Sequence, residues 1–287
     1  MTAILIVFEY QKVLSGAIID LYQSYCWVKN FTDDIHIITD IKVDLERFIK
    51  VGVELNYVTS LDPIADLTNC LAKGLKNNKL VIYYSGHGLK NSIVLPNETH
   101  YSLTDFRDLV VKYGNFETEI FWICDCCNPN GLNLAFKLID NRFRLNNYVF
   151  VEPKIILITS AEINQLSIGD CNGSIFSKRL FQYLTVLNED IDGLIVPNNK
   201  NRNLQRLIRT LKGDINKQIV CIYSSYLIDP ILWNWVGRRV EYSLKVDQSL
   251  NIFIFELQDN RYYIKEFYEK VEEVKKDSII KMLYREH

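Results

Sequence analysis

Two short motifs with chemical potential stand directly after apolar runs. Ser85-Gly86-His87-Gly88 follows the run Val81–Tyr84, and Asp125-Cys126-Cys127 follows the run Glu119–Cys124. In an open α/β sheet, ligands bind at the carboxyl ends of the strands, so the imidazole and a thiol are expected in one crevice. A thiol beside an imidazole is a nucleophile with its base, and the leading hypothesis is therefore the chemistry of a cysteine peptidase.

The histidine of the first motif lies between two glycines. Gly86 and Gly88 allow tight turns and a close approach of backbone to substrate. The amide of Gly88, together with the amide of Cys127, is expected to hold the oxyanion that forms during acyl transfer. The alternative is that His87 is an ordinary loop histidine between turn residues.

The cysteines of the second motif allow several interpretations. Cys127 is the expected nucleophile, because a neighbouring histidine lowers a thiol pKa; a buried core thiol is the alternative. Cys124 and Cys127 also have Cys-x-x-Cys spacing, which is found in dithiol redox sites and in half of a zinc site. Against zinc, no second ligand pair is present, and the redox interpretation leaves the Gly-His-Gly loop unexplained.

Composition excludes several classes of function. The chain has 287 residues, 48% hydrophobic and 24% charged, which is ordinary for a soluble globular protein. Its net charge of −2 offers no basic field for nucleic acid. Seven irregularly spaced cysteines and no secretory signal predict a reducing, cytoplasmic setting without disulfides. No apolar run is long enough to span a membrane, and no metal is expected.

Apolar runs alternate with amphipathic stretches along most of the chain. This alternation predicts an α/β fold with a mostly parallel sheet between helices. The predicted strands are residues 3–8, 35–39, 80–84, 118–124, 154–160 and 219–224. The predicted helices are residues 15–29, 61–77, 102–113, 131–140, 174–187 and 202–216.

The pattern changes near residue 236, which predicts a domain over 1–236 and an extension over 237–287. Residues 240–257 read as two strands around Asp247-Gln248-Ser249. Residues 262–284 read as an amphipathic helix with apolar residues at helical spacing.

The two motifs resemble those of the caspase-like cysteine peptidases, and of the metacaspases in particular. Metacaspases carry Tyr-Ser-Gly-His-Gly and Asp-x-Cys-His-Ser-Gly loops, matched here by Tyr84–Gly88 and by Asp125–Asn130, where Asn-Pro-Asn replaces His-Ser-Gly. Residues 158–167 resemble the family's Ser-Cys-x-x-Asp-Gln-Thr-Ser segment. The resemblance covers about residues 3–236 and implies a caspase-like, six-stranded, mostly parallel sheet. It leaves the small C-terminal β/helix extension unmatched.

The resemblance also implies roles for individual residues. His87 and Cys127 would form a catalytic dyad in an endopeptidase acting on protein or peptide substrates. Asp125, Asn164 and Ser160 would bind substrate. Asn164 stands where the family has a pocket aspartate, so the preference of this protein for Lys or Arg before the cut is expected to be weaker than the family's. No cofactor is required, although calcium activation and self-association are properties that the resemblance would allow. The competing hypothesis is a catalytically weak caspase-like protein that serves as a binding or structural component.

The segment 140–153 is polar at its start and is expected to be an exposed loop between the halves of the domain. Exposed loops are the usual sites of nicking. Arg142 and Arg144 would be the points of any self-processing.

Overall fold

A nine-stranded sheet forms the centre of the protein. The structure is a computed structural model. It describes residues 1–11, 13–29, 32–41, 53–57, 63–74, 77–89, 91–129, 132–139, 142–147, 153–162, 164–184, 187–189, 194–197, 207, 211, 218–226, 242–247, 252–257 and 260–263.

The helices and strands are named in chain order. Up to residue 125 they are β1 (Thr2–Val7), α1 (Ala17–Lys29), β2 (Ile35–Thr39), β3 (Val53–Tyr57), α2 (Pro63–Gly74), β4 (Lys79–Ser85), β5 (Gly88–Leu89), β6 (Ser92–Val94), β7 (His100–Ser102), α3 (Leu103–Tyr113) and β8 (Glu119–Asp125). Beyond it they are β9 (Phe136–Ile139), β10 (Arg142–Leu145), β11 (Lys154–Thr159), β12 (Gly169–Asp170), β13 (Gly173–Ser174), α4 (Ile175–Leu184), β14 (Leu187–Glu189), β15 (Leu194–Pro197), β16 (Cys221–Ser224), β17 (Tyr242–Asp247), β18 (Ile252–Leu257) and β19 (Asn260–Tyr263).

The central sheet is mostly parallel, which confirms the predicted fold class. Its strand order is β10-β9-β16-β11-β8-β4-β1-β2-β3. Every neighbouring pair from β3 to β11 is parallel, while β16, β9 and β10 run antiparallel to their neighbours. All six predicted strands are present, and β3, β9 and β10 make the sheet three strands wider than the six expected.

Side chains of the central strands alternate between two apolar clusters. In β1, residues Ala3, Leu5 and Val7 pack on the face that carries α1 and α4. Residues Ile4 and Ile6 pack on the face that carries α2 and α3. Because both faces are covered, the strand is apolar at every position, and this continuous run is the pattern from which it was predicted.

The order of the strands creates a crevice beside β1. The chain moves outward from β1 to β2 and β3, then returns to place β4 on the other side of β1. At such a reversal, the loops that follow the two adjacent parallel strands diverge and leave space at their carboxyl ends. The loops that follow β1, β4 and β8 all lie at the carboxyl ends of these parallel strands.

Four predicted helices are confirmed as α1 to α4. Helix α3 begins where expected, since Ser102 Oγ accepts hydrogen bonds from the amides of Thr104 (3.1 Å) and Asp105 (3.4 Å). Of the predicted helix at 202–216, only Leu207 and Leu211 are described, and both are buried and helical. Among the described helices, none is both long and apolar enough to cross a bilayer.

The helix predicted over 131–140 is wrong. Leu132 and Asn133 have φ values of 50° and 52°, which a right-handed helix does not allow. The chain then forms β9, which pairs with β16 and with β10. The missed signal was Asp140-Asn141 between two runs of alternating polar and apolar residues, which is a hairpin pattern.

This hairpin also corrects the loop expected over 140–153. Arg142 and Arg144 lie in β10, paired with Ile139 and Lys137 of β9. A strand held in a ladder must be pulled from its partner before a peptidase can bind it, so neither arginine lies in the exposed loop that was expected. Self-processing there stays a prediction.

A second, antiparallel sheet has the order β14-β15-β17-β18-β19. Its strands β17 and β18 are the pair predicted after residue 236, and β15 pairs with β17 although it precedes that residue. Strand β19 occupies the first residues of the predicted helix at 262–284, and residues 264–287 lie outside the described ranges. The predicted boundary at 236 stays a prediction.

The first testable prediction concerns the edge strand β10, whose one partner within the described ranges is β9. Arg142 and Arg144 are exposed on it, and charged side chains discourage edge-to-edge pairing. Replacing both by threonine removes repulsion of about 1 kcal/mol or more in a β10–β10 pair. We expect roughly tenfold tighter self-association, measured by sedimentation velocity over a concentration series.

The control is the double substitution by lysine, which keeps both charges and should sediment like the original protein. Identical sedimentation of the threonine variant and the original protein would show that these charges do not guard the edge.

Candidate functional site

A cavity of about 340 Å³ lies at the carboxyl end of the central sheet. Four parts of the chain line it: the segment from Val13 to Asp20 after β1, the end of β4, the end of β8, and residues 167–174 with the β12–β13 hairpin. The crevice expected from strand order is therefore present.

His87 and Cys127 both line this cavity and are both half-buried. Burial lowers the pKa of the His87 imidazole from its usual 6.5, so the ring is neutral at neutral pH. The Cys127 thiol points toward the carbonyl oxygen of Ser167, 3.9 Å from its Sγ. A neutral imidazole and an accessible thiol in one cavity are the reactants that the two motifs predicted.

The other two cysteines of the second motif face away from the cavity. Cys124 and Cys126 are buried in the cluster beneath α2 and α3, with their sulfurs 3.6 Å apart. The hydrogen bond with Cys124 and then burial raise the pKa of the Cys126 thiol well above its usual value. The alternation of the strand thus separates Cys124 from Cys127 and gives no paired dithiol from the Cys-x-x-Cys spacing.

Two buried carboxylates form the inner wall of the cavity. Asp125, at the end of β8, accepts hydrogen bonds from Ser167 Oγ (2.7 Å) and Ser177 Oγ (2.6 Å). Asp20, on α1, accepts hydrogen bonds from Ser85 Oγ and from the Ser174 amide, both at 3.0 Å. Each aspartate is 3% exposed, yet both line the cavity.

Electrostatics make the Asp20 carboxyl group a weaker acid than an exposed aspartate. Burial, and then repulsion from Asp125, raises the pKa of Asp20 to about 8. Among the described side chains, neither carboxylate forms an ion pair; the nearby Lys178 pairs with Asp170 at the rim, at 3.5 Å. Two buried carboxyl groups that form no ion pair within the described ranges could pair with a cationic group from outside the chain.

Asp20 is the residue that sequence reasoning missed. It lies in the apolar stretch Ala17-Ile18-Ile19-Asp20-Leu21, and an acid inside such a stretch was the available signal. Strand alternation explains why Asp125 lies near Asp20. Ser85 and Asp125 are register partners on β4 and β8, and both project toward the face that carries α1 and α4. The same face therefore brings the two carboxylates together.

Gly88 approaches the second motif more closely than any other residue type could. A Cβ atom at this position would lie 2.2 Å from the carbonyl oxygen of Cys127 and 2.7 Å from the sulfur of Cys126. Because Gly88 has no side chain, the loop that carries His87 can contact the Cys126-Cys127 loop. Glycine was expected here for a close approach of the backbone to substrate, which is a different reason. The oxyanion role of Gly88 and Cys127 stays a prediction.

Ser160 and Asn164 are placed differently from the other predicted site residues. Ser160 is fully buried, and its Oγ donates to the carbonyl oxygen of Cys126 at 3.2 Å. Asn164 has a φ of 64° in the turn between Glu162 and Gln165. Neither residue lines the cavity, so their placement does not support the substrate contacts predicted for them.

Metal ligands were not expected, and the described residues contain no group of three or more His, Cys, Asp or Glu side chains that could hold an ion. Calcium activation stays a prediction.

No family model matches the sequence, and no curated protein matches it. Among solved structures, a structural-genomics protein from Geobacter sulfurreducens is 11% identical with a TM-score of 0.51, over 82% of this chain and 97% of that one. Caspase-1 from Spodoptera frugiperda is 13% identical with a TM-score of 0.44, over 78% of this chain and 86% of that one. The first likeness shows a shared fold alone, and the second is too weak to carry an argument. The topology, a largely parallel sheet between helices, is consistent with a caspase-like fold.

Proposed function

We propose that this protein is a cysteine endopeptidase that cuts peptide bonds after arginine or lysine. One observation carries the proposal: a single cavity presents a thiol, a neutral imidazole and two buried carboxylates that form no ion pair with any described side chain. The thiol and imidazole supply acyl-transfer chemistry, and the carboxylates supply a site for a cationic side chain.

The reaction begins with proton transfer from the Cys127 thiol to the His87 imidazole. The thiolate attacks the peptide carbonyl carbon, and the oxygen takes the electron pair of the C=O bond while the Gly88 and Cys127 amides donate to it. When the tetrahedral intermediate collapses, the C–N bond breaks and His87 gives its proton to the leaving amine. Water then attacks the thioester, with His87 as base, and releases the carboxylic acid and the thiol.

The burial of His87 suits the first step. Because burial lowers its pKa, the imidazole is in the basic form that accepts the thiol proton at neutral pH. The ion pair that results is favoured over two separated charges in a partly water-excluded cavity.

The two carboxylates would recognise the side chain before the cut. Asp20 and Asp125 both line the cavity, where the positive charge of an arginine side chain would offset the repulsion between them. A guanidinium donates several hydrogen bonds in a plane and suits two carboxylates better than a single ammonium does. Asp20 would thus supply a second acidic group for a basic side chain, in place of the family's pocket aspartate that Asn164 replaces.

The second prediction identifies the nucleophile. Substituting Cys127 by alanine should abolish labelling by a peptide probe with arginine next to an electrophilic ketone, together with all turnover. Cys126→Ala and Cys124→Ala should keep most of both, since these thiols are buried on the other face of β8. Labelling is read by intact-protein mass spectrometry.

Labelling that persists in Cys127→Ala would contradict the assignment. Labelling of Cys127 without any turnover of peptide substrates would instead favour the competing hypothesis of a binding or structural component.

The third prediction concerns Asp20. Asp20→Asn removes one of the two buried carboxyl groups that would pair with the substrate cation, at a cost of about 2 kcal/mol or more when Asp20 is ionised. We expect kcat/KM for an arginine peptide to fall roughly 30-fold or more, while iodoacetamide alkylates Cys127 at an unchanged rate. The matched control is Asp170→Asn at the exposed rim, where an ion pair contributes about 1 kcal/mol or less.

Equal losses in Asp20→Asn and Asp170→Asn would show that the inner wall does not recognise the cation.

The fourth prediction is a pH dependence specific to cationic substrates. Asp20 has a pKa of about 8 in the free protein and must be ionised to pair with a cation. Thus kcat/KM for an arginine peptide should rise up to about tenfold across the two pH units around 8. His87 titrates below 6.5 and gives a separate limb.

A peptide with citrulline, the neutral analogue of arginine, should lack the limb near pH 8. Coincident profiles for the two peptides would refute the role of Asp20 in this limb.

A further inference from the structure

We infer that Tyr10 is the positioning residue that orients His87 for catalysis. This inference rests on the proposed function of His87 as the base. The phenol ring of Tyr10 packs on the imidazole of His87, with ring centroids 4.4 Å apart and planes inclined by 38°. The imidazole of a dyad has no third catalytic side chain to orient it, and a packed aromatic face limits its rotation.

The hydroxyl of the same tyrosine holds the backbone of the histidine. Tyr10 OH accepts a hydrogen bond from the His87 amide at 2.8 Å and donates to the carbonyl oxygen of Val94 at 2.7 Å. One side chain therefore contacts both the ring and the main chain of His87. The hydrogen bond holds the backbone of His87 in place, and the ring contact restricts the orientation of its imidazole.

A second tyrosine completes the clamp. Tyr84 OH donates to the His87 carbonyl oxygen at 2.7 Å and lies 3.2 Å from Tyr10 OH. The two hydroxyls leave no room at Gly86, where a Cβ would lie 2.6 Å from one and 2.7 Å from the other. The glycine before His87 is thus explained by the clamp. Burial raises the pKa of both phenols, so they remain protonated donors at neutral pH.

The position of Tyr10 is itself fixed by the fold. Asp40, which follows β2, accepts hydrogen bonds from the amides of Glu9 (2.6 Å) and Tyr10 (2.8 Å). Tyr10 and Gln11 have φ values of 50° and 55°, a region that side chains disfavour and that surrounding contacts must maintain. Such strain is concentrated at functional sites, and here it aims the phenol at the histidine loop.

The test compares Tyr10→Phe, which keeps the ring and loses the hydroxyl, with Tyr10→Leu, which loses both. We expect kcat for an arginine peptide to fall about 3- to 10-fold in the first and about 10- to 100-fold in the second. KM should stay within about twofold in both, because Asp20 and Asp125 are untouched. If Tyr10→Leu does not fold, Tyr10→Phe alone decides.

Tyr101 provides matched controls, since it is partly buried against the same cluster as Tyr10 and packs on Phe106 rather than on His87. Tyr101→Phe and Tyr101→Leu should keep the original kcat. Equal losses at Tyr10 and Tyr101 would overturn the inference, because they would indicate general destabilisation. Unchanged kcat in the Tyr10 variants would overturn it as well.

The second readout does not depend on peptidase activity. The rate at which iodoacetamide alkylates Cys127 is measured against pH in the original protein, the Tyr10 variants and His87→Ala. We expect the pH profile of alkylation in Tyr10→Leu to resemble that of His87→Ala. The profile of Tyr10→Phe should lie between those of the original protein and Tyr10→Leu. A change in His87→Ala without any change in the Tyr10 variants would overturn the role of Tyr10 alone. Identical profiles for the original protein and His87→Ala would refute the dyad, and with it this inference.

Discussion

The two-residue alternation of β4 and β8 is the constraint on which the site depends. Buried strands expose successive side chains to opposite faces, so the residue at which a strand ends decides which face its last polar group enters. Ser85 and Asp125 end their strands in register, on the face of α1 and α4. A shift of one residue in β4 would send the Ser85 hydroxyl into the apolar cluster beneath α2 and α3. The same shift in β8 would send the Asp125 carboxylate there and would exchange the faces of Cys126 and Cys127.

The acidic wall is expensive to keep in a folded protein. Burial without a counter-ion disfavours the charged form of a carboxyl group. Either the pKa of the group rises, or hydrogen bonds from its surroundings stabilise the carboxylate. The chain uses both solutions: Ser167 and Ser177 donate to Asp125, and Asp20 takes a raised pKa. Tyr83 OH lies 2.7 Å from Ser177 Oγ and extends this polar network into the core. A core built for stability alone would have filled these positions with apolar side chains.

Much of the fold followed from local patterns, because strands covered on both faces and amphipathic helices carry their signals in a few consecutive residues. The placement of His87 and Cys127 at one cavity was predictable for the same reason, since each follows a clearly apolar strand. Asp20 was missed because it joins the cavity wall only when α1 packs on the sheet beside Ser85, and no local pattern records that packing. The β9–β10 hairpin was missed because each of its strands is only four residues long, and so short an alternation of polar and apolar residues also fits part of an amphipathic helix. Ser160 and Asn164 were assigned by resemblance, which does not give the path of the loop; neither lines the cavity, and their substrate contacts stay predictions.

The second sheet ties the end of the chain to its middle. Strands β14 and β15 lie before β16 in the chain, and β17 to β19 lie after it, yet β15 and β17 pair directly. The sheet therefore closes only after the last strand of the central sheet has been synthesised. A chain stopped at residue 236 would leave β14 and β15 as a lone two-stranded hairpin, which is marginally stable in water, with the free edge of β15 open to other chains. In terms of chain connectivity, β17 to β19 complete a sheet whose first two strands, β14 and β15, lie between α4 and β16 in the chain.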